Sequence, residues 1–67
     1  MIKLYTTGCP QCKFVEVQLN NKQIVYEKIT DKEIMLQKQF THVPMLELED
    51  GRILNYKEII KWINEAN

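Results

Sequence analysis

The chain carries two cysteines, Cys9 and Cys12, and both fall in one short stretch, Thr6-Thr7-Gly8-Cys9-Pro10-Gln11-Cys12-Lys13-Phe14. Two thiols with two residues between them have three chemistries open to them: a structural bridge, half of a metal site, or a reversible redox pair. A bridge over so short a spacer closes too small a loop to restrain the unfolded chain much. A zinc or iron–sulfur site takes four ligands, and His42 is the single histidine, so a second chain would have to complete it. A redox pair needs only the two sulfurs, provided one is readily held as the thiolate that attacks a disulfide.

The elements that would position such a pair are a strand and a helix. Residues 2–6 alternate apolar and polar with β-favouring side chains, which predicts a strand, and Gly8 and Pro10 end it. From Pro10 to about Leu19 the pattern turns helical, with Cys12, Val15 and Leu19 on one face. Pro10 suits a first helical turn, where its missing N–H has no partner to lose. Cys9 then lies at a helix amino end, where unpaired N–H groups and the helix dipole favour an anion. The dipole alone is worth about 0.3–1 kcal/mol, less than one pKa unit at roughly 1.4 kcal/mol. A larger drop requires the N–H groups of residues 11 and 12 to bond the sulfur directly. Cys9 is therefore expected to be the outer nucleophile with a lowered pKa. Cys12, one turn inside, is expected to resolve the mixed disulfide, and Lys13 to be a solvated charge.

Downstream, residues 24–29 are β-branched and aromatic and predict a second strand. Thr30 and Glu33 have the spacing of a capping box and predict a second helix through about Phe40, with Leu36 and Phe40 stacked at i, i+4. Thr41-His42-Val43-Pro44 breaks it. Residues 45–49 alternate again as a third strand, Asp50-Gly51 signals a two-residue hairpin turn, and residues 52–54 return as a fourth strand. Asn55 is placed to cap a last helix whose Tyr56, Ile59, Ile60 and Ile63 share a face. The order is β-α-β-α-β-β-α. The βαβ unit makes two parallel strands with a right-handed crossover, the hairpin joins the same sheet, and the helices cover its apolar faces.

Composition narrows the partners. Sixty-seven residues, 45% of them hydrophobic, predict one small domain over residues 1–67, burying only about 60% of its unfolded surface. Nine basic and nine acidic residues cancel and are interspersed, so no basic block is present to attract nucleic acid and no acidic tail is present. No signal-peptide pattern follows Met1, and no apolar run approaches the roughly 20 residues of a membrane span. The expectation is a cytoplasmic protein, where a stable structural disulfide is unusual.

C-P-x-C after a first strand, Val-Pro before a third strand and an x-D-G hairpin together resemble a glutaredoxin of the thioredoxin-fold family, over residues 2–66. The chain is also similar to the glutaredoxin-like redoxins that reduce ribonucleotide reductase, several of which carry Gln where Gln11 stands. The resemblance implies an α/β thioredoxin-like fold, a minimal glutaredoxin with a four-stranded mixed sheet and three helices. It implies a thiol–disulfide oxidoreductase with Cys9 and Cys12 as the reacting pair, and Pro10, Gln11, Val43 and Pro44 against the substrate. The matching proline in that family has a cis peptide bond, and the backbone of the residue before it pairs with the substrate. No metal or bound organic cofactor is implied; electrons come from glutathione or a thioredoxin reductase-type flavoenzyme. The partners are a disulfide-containing protein, ribonucleotide reductase among the candidates, and that reductant, with the chain acting as a monomer. Glutathione-binding members have Gly-Gly and an acidic residue where this chain has Leu54-Asn55-Tyr56-Lys57. Leu54 removes the close backbone approach that Gly allows, while Lys57 and the helix start remain to attract a carboxylate. Gln11 replaces an aromatic wall, and both electron donors stay open.

Other residues carry weaker signals. His42 as base to Cys9 would suit hydrolysis, yet no oriented third group or oxyanion hole accompanies it, so a loop residue is expected. Trp62, one position off the apolar stripe, is expected at the edge of the core. Met45 suits either a substrate contact or core filling, and Tyr5 is expected to pack.

Overall fold

Alternation along the first strand sends Leu4 to one side of a sheet and Tyr5 to the other, and each side acquires its own cover. The structure, a computed structural model, describes residues 1–65. Its elements are β1 (Ile2–Tyr5), α1 (Pro10–Asn21), β2 (Tyr26–Ile29), α2 (Lys32–Gln37), β3 (Met45–Glu47), β4 (Ile53–Leu54) and α3 (Tyr56–Glu65). The sheet order is β2-β1-β3-β4. β1 runs parallel to β2, with Tyr5 opposite Ile29, and antiparallel to β3, with Leu4 opposite Leu46. β4 pairs antiparallel to β3, with Leu54 opposite Leu46. Leu4, Leu46 and Leu54 thus form a row across three strands. With Leu48, Val15 and Leu19 of α1, and Ile59 and Ile63 of α3, they make the core. This is the expected α/β thioredoxin-like arrangement, βαβαββα with a four-stranded mixed sheet and three helices.

On the opposite side Tyr5 is fully buried and meets the Phe40 ring edge-on, centroids 4.9 Å apart. Its hydroxyl donates to Glu47 Oε1 at 2.9 Å, and Lys38 Nζ lies 3.1 Å from the same oxygen. The second-helix region is therefore held to the sheet partly by polar contacts.

Several expected boundaries move, each for a local reason. α1 continues through Asn21 because Gln23 takes a left-handed φ of 57° and closes the helix. Its N–H donates to the Asn20 carbonyl at 3.0 Å, and the Ile24 N–H donates to the Leu19 carbonyl at 2.9 Å, the two bonds of a Schellman motif. Ile24 thereby belongs to the helix end, and the second strand starts only at Tyr26. α2 repeats the device at Gln39, φ 62°, with Gln39 bonding Leu36 and Phe40 bonding Met35, both at 3.0 Å. That stops the helix at Gln37, short of Phe40. The expected Leu36–Phe40 stack does not form: Leu36 is 73% exposed, and Met35 turns inward instead. The cap of α2 is Asp31, whose Oδ1 accepts the Glu33 N–H at 2.9 Å, and not Thr30; Asp is the stronger N-cap.

The hairpin turn has three residues rather than two. Gly51, φ 92°, donates to the Leu48 carbonyl at 3.0 Å while Leu48 donates to the Arg52 carbonyl at 2.8 Å. Asp50 Oδ1 accepts the Arg52 N–H at 3.0 Å, which fixes Glu49, Asp50 and Gly51 as the loop. Asn55 caps α3 reciprocally: its Oδ1 accepts the Glu58 N–H at 2.9 Å and Glu58 Oε1 accepts the Asn55 N–H at 3.0 Å. Trp62 is half-buried against the core. Among the described residues no helix is long and apolar enough to cross a membrane.

Candidate active site

The loop from Thr6 to Cys9 delivers the chain from β1 into α1. Thr6 is the last residue tied to the sheet, its N–H donating to the Ile29 carbonyl at 3.0 Å. Gly8 takes φ 84°, a turn a residue with a Cβ adopts only under strain, and its N–H donates to Thr6 Oγ1 at 3.1 Å. Cys9 follows as the N-cap of α1 in extended conformation, with Pro10 in the first turn. Its Sγ accepts the Cys12 N–H at 3.2 Å, the role an N-cap Ser or Asp oxygen fills elsewhere. Cys9 is half-exposed and Cys12 is fully buried; both are free thiols.

The two thiols form one coupled pair, and its balance runs opposite to the sequence expectation. The Cys12 thiol as hydrogen-bond partner, with burial, pushes Cys9 above the ordinary cysteine range, against the pull of the Cys12 and Gln11 N–H groups. Burial pushes Cys12 up as well. Hydrogen bonds from the Cys9 thiol, the Thr6 hydroxyl and the N–H groups of Thr7 and Cys9 outweigh it and draw Cys12 down. The outer thiol is thus pushed up and the inner one drawn down, each with the other as its neighbour. A helix-end amide reaches Cys9 as the sequence suggests, the Cys12 N–H at 3.2 Å. A pair that shares one proton titrates as a unit, and passing that proton inward moves the charge to the exposed sulfur. Access separates the two thiols.

Pro10 and Gln11 are exposed on the first turn beside Cys9, and Lys13 is exposed. The Val43–Pro44 peptide is cis. Pro44 is fully buried, so the half-buried Val43 is the one of the two open to a ligand. Val43 and Thr7 line one side of a groove of about 280 Å³, whose other walls include Met35, Leu36 and Phe40, with Lys32 and His42 at its polar positions. The structure thus brings the cysteine loop, the Val43 loop and the α2 region to one surface. His42 is exposed, its Nδ1 3.0 Å from Thr41 Oγ1. A larger open cleft of about 460 Å³ lies between the end of α1 and β2, lined by Asn20, Ile24, Tyr26 and Lys28, and neither cysteine borders it.

Thr6, Thr7 and the α2 residues of the groove were not singled out by their sequence pattern. Thr6 had one available signal, a polar residue at the position two after Leu4, hence on the helix-covered side of the strand. Among the described residues no three His, Cys, Asp or Glu side chains converge as metal ligands. A metal shared between two chains would also have to reach Cys12, which is buried.

Neither a scan against protein-family models nor a search of curated proteins finds a match. Solved structures do match. A glutathione S-transferase from Methylobacillus flagellatus KT, with glutathione bound, superposes with TM-score 0.81 at 21% identity, over all of this chain and 37% of that one. A trimeric glutathione transferase from Leishmania gives 0.77 at 23% identity, over all of this chain and 18% of that one. A glutathione transferase homologue from Sulfitobacter, with bound glutathione, gives 0.74 at 20% identity, over 94% of this chain and 35% of that one. At such identities the likeness establishes the thioredoxin-like fold. This chain spans between 18% and 37% of the length of the proteins it matches.

Proposed function

We propose that this chain is a glutaredoxin-like dithiol carrier that reduces disulfides through Cys9 and Cys12. The observation that carries the proposal is the placement of an accessible sulfur as the cap of α1, 3.2 Å from the Cys12 N–H, with a second, buried thiol one turn inside. The Cys9 thiolate attacks one sulfur of a substrate disulfide, forming a mixed disulfide and releasing the other substrate sulfur as a thiolate. The Cys12 thiolate then attacks Cys9 Sγ. The Cys9–substrate bond breaks, the Cys9–Cys12 bond forms, and the second substrate sulfur leaves as a thiolate that takes up a proton. Two electrons have passed from the dithiol to the substrate. One copy suffices, because both sulfurs belong to the same chain, and a reducing compartment such as the cytoplasm suits the cycle.

Pro10, Gln11 and Val43 are proposed to bound the substrate around Cys9, with Pro44 as their buried support. The groove bordered by Val43 and Thr7 suits a segment of a disulfide-containing protein substrate, ribonucleotide reductase among the candidates. The reductant returning the electrons is glutathione or a thioredoxin reductase-type flavoenzyme. Two of the structurally similar proteins hold glutathione, which supports testing that donor first.

Cys9→Ser is expected to abolish exchange with an aromatic disulfide. Cys12→Ser is expected to stop after one substrate thiol is released and to accumulate a covalent adduct visible by mass. Full protein-disulfide turnover by Cys12→Ser would overturn the two-cysteine scheme. Following re-reduction of the oxidised protein by glutathione alone and by a thioredoxin reductase with NADPH separates the two donors.

A further inference from the structure

Leu36 is an apolar side chain that the packing of the fold leaves over. It is 73% exposed on α2, where its neighbour Met35 takes the inward position. It stands in the groove of about 280 Å³ that Thr7 and Val43 border, and Met35 and Phe40 continue the apolar surface there. The charge of this groove has one sign. Lys32 and His42 line it together with Thr7 and Thr41, and no carboxylate does. Among the described residues Lys28, Lys38 and Arg52 each pair with an acidic side chain, and Lys32 is in no such pair. Asp31 and Glu33 flank Lys32 in the chain, but Asp31 Oδ1 is taken by the Glu33 N–H and neither residue borders the groove. His42 Nδ1 lies 3.0 Å from Thr41 Oγ1; a hydroxyl donating there puts the ring proton on Nε2, the nitrogen left for a ligand.

Size and position restrict the occupant. A cavity of about 280 Å³ falls at the low end of the roughly 300–1,000 Å³ that encloses a small-molecule ligand, and suits one or two side chains of a longer segment. Thr7 stands two residues before Cys9, so their Cα atoms are at most about 7 Å apart, two steps of an extended chain at about 3.3 Å each. A substrate whose cysteine meets Cys9 therefore carries its neighbouring residues to the mouth of the groove. We infer that the groove reads the flank of the substrate disulfide: an apolar side chain seats against Leu36, Met35 and Phe40, and a carboxylate next to it pairs with Lys32 and accepts from His42 Nε2. The inference rests on the proposed exchange reaction and names the chemistry of its protein substrate, an acidic and apolar segment beside the cysteine. A basic residue at the same place meets Lys32 as a like charge and is disfavoured. The groove speeds the attack by holding the substrate and takes no part in moving electrons or protons.

Peptides that differ only beside a single cysteine test it, each supplied as its symmetric disulfide with Leu-Asp, Leu-Asn, Leu-Lys or Ser-Asp on either side of that cysteine. Reduction is quenched in acid and followed by mass. The reduced wild-type protein is expected to reduce the Leu-Asp peptide about twofold to fivefold faster than Leu-Asn, the range of an exposed ion pair, with Leu-Lys slower still. That charge preference should close in about 1 M salt, where the screening length is about 3 Å. Ser-Asp should fall behind Leu-Asp by about tenfold, since a leucine side chain is no longer buried. Lys32→Glu should invert the order of Leu-Asp and Leu-Lys, which a merely structural part for Lys32 would not do, and Leu36→Asn should erase the difference between Leu-Asp and Ser-Asp. Both side chains are exposed, so neither change opens the core. Equal wild-type rates for Leu-Asp and Leu-Lys at low salt, or an order unchanged by Lys32→Glu, would overturn the inference.

An uncharged aromatic disulfide, which has no flanking residues, reports the exchange reaction alone. A wild-type protein that reduces it and treats the four peptides alike loses the docking site and keeps the exchange reaction. Docking is also read without chemistry, in Cys9→Ser mixed with a Leu-Asp peptide that has serine for cysteine. The methyl signals of Leu36 and Met35 should shift with that peptide and stay in place with its Leu-Lys counterpart; signals unmoved at millimolar Leu-Asp peptide overturn the inference. Shifted signals in a protein whose wild type reduces no disulfide would instead sink the exchange reaction while leaving the groove and its acidic, apolar ligand in place.

Discussion

A sulfur that caps a helix can be read from a sequence, but the charge it carries cannot. Cys9 accepts the Cys12 N–H as an N-cap residue should, yet the neighbouring Cys12 thiol and burial push Cys9 up. Alkylation should show the division of access. In the folded reduced protein an iodoacetamide-type reagent is expected to modify Cys9 while Cys12 stays protected until the chain is denatured; equal labelling of both in the folded state would contradict the burial of Cys12. Tyr5 is a second case. Its hydroxyl and the Lys38 amine hold the Glu47 carboxyl below the usual carboxylate range, with the Tyr5 bond the larger cause. A lowered folded pKa means stability that is complete above the unfolded glutamate value, about 4.3, and is lost as pH falls through the lower folded value. Tyr5 and Lys38 are both raised, Tyr5 by burial first and then by Glu47, Lys38 by the Glu47 bond. Their contributions are present below their unfolded values and fade as pH rises through the folded ones. Tyr5→Phe should cost about 1 kcal/mol at neutral pH and flatten the acid limb of the stability curve. Urea unfolding repeated across pH checks both, and an unaltered acid limb would count against the network.

Among the elements, the two long-standing sequence signals, alternation and capping, located every strand and helix but not all of their ends. Asn55 was legible as a cap, and Glu58 completes it. The ends of α1 and α2 were not, because each is closed by a glutamine in left-handed conformation, a residue type that gives no warning of that geometry. A left-handed residue with a Cβ is strained where glycine is not. Gln23→Gly and Gln39→Gly are therefore each expected to stabilise the fold by about 0.5–1 kcal/mol, read as a rise in the urea midpoint with unchanged slope. Asn55→Ala should cost about 1 kcal/mol by the same measurement. A Gln→Gly change that destabilises would mean that those backbone turns are not populated as described.

At the scale of the whole molecule the margin is thin. A chain of 67 residues at 0.05–0.15 kcal/mol per residue has a total stability of roughly 3–10 kcal/mol. Leu46 is fully buried in the central row between Leu4 and Leu54. Leu46→Ala should cost about 2–5 kcal/mol, enough to unfold a large share of the molecules near physiological temperature; a loss under about 1 kcal/mol in thermal or urea unfolding would contradict the packing. Local order along the chain determined a good deal: the strand-turn-helix that brackets the cysteines, the order βαβαββα, and the apolar row that closes the core all follow from period and punctuation, which neighbouring residues encode. What the tertiary structure alone decided is which groups meet across the fold. Val15 and Leu19 join Leu4 and Leu46 in one core because α1 lies over the sheet, Tyr5 finds Glu47 because β1 pairs with β3, and Val43 shares a groove with Thr7 because β3 lies beside β1. Hydrogen bonds and burial between residues distant in sequence depend on that packing, and no one-dimensional pattern carries them.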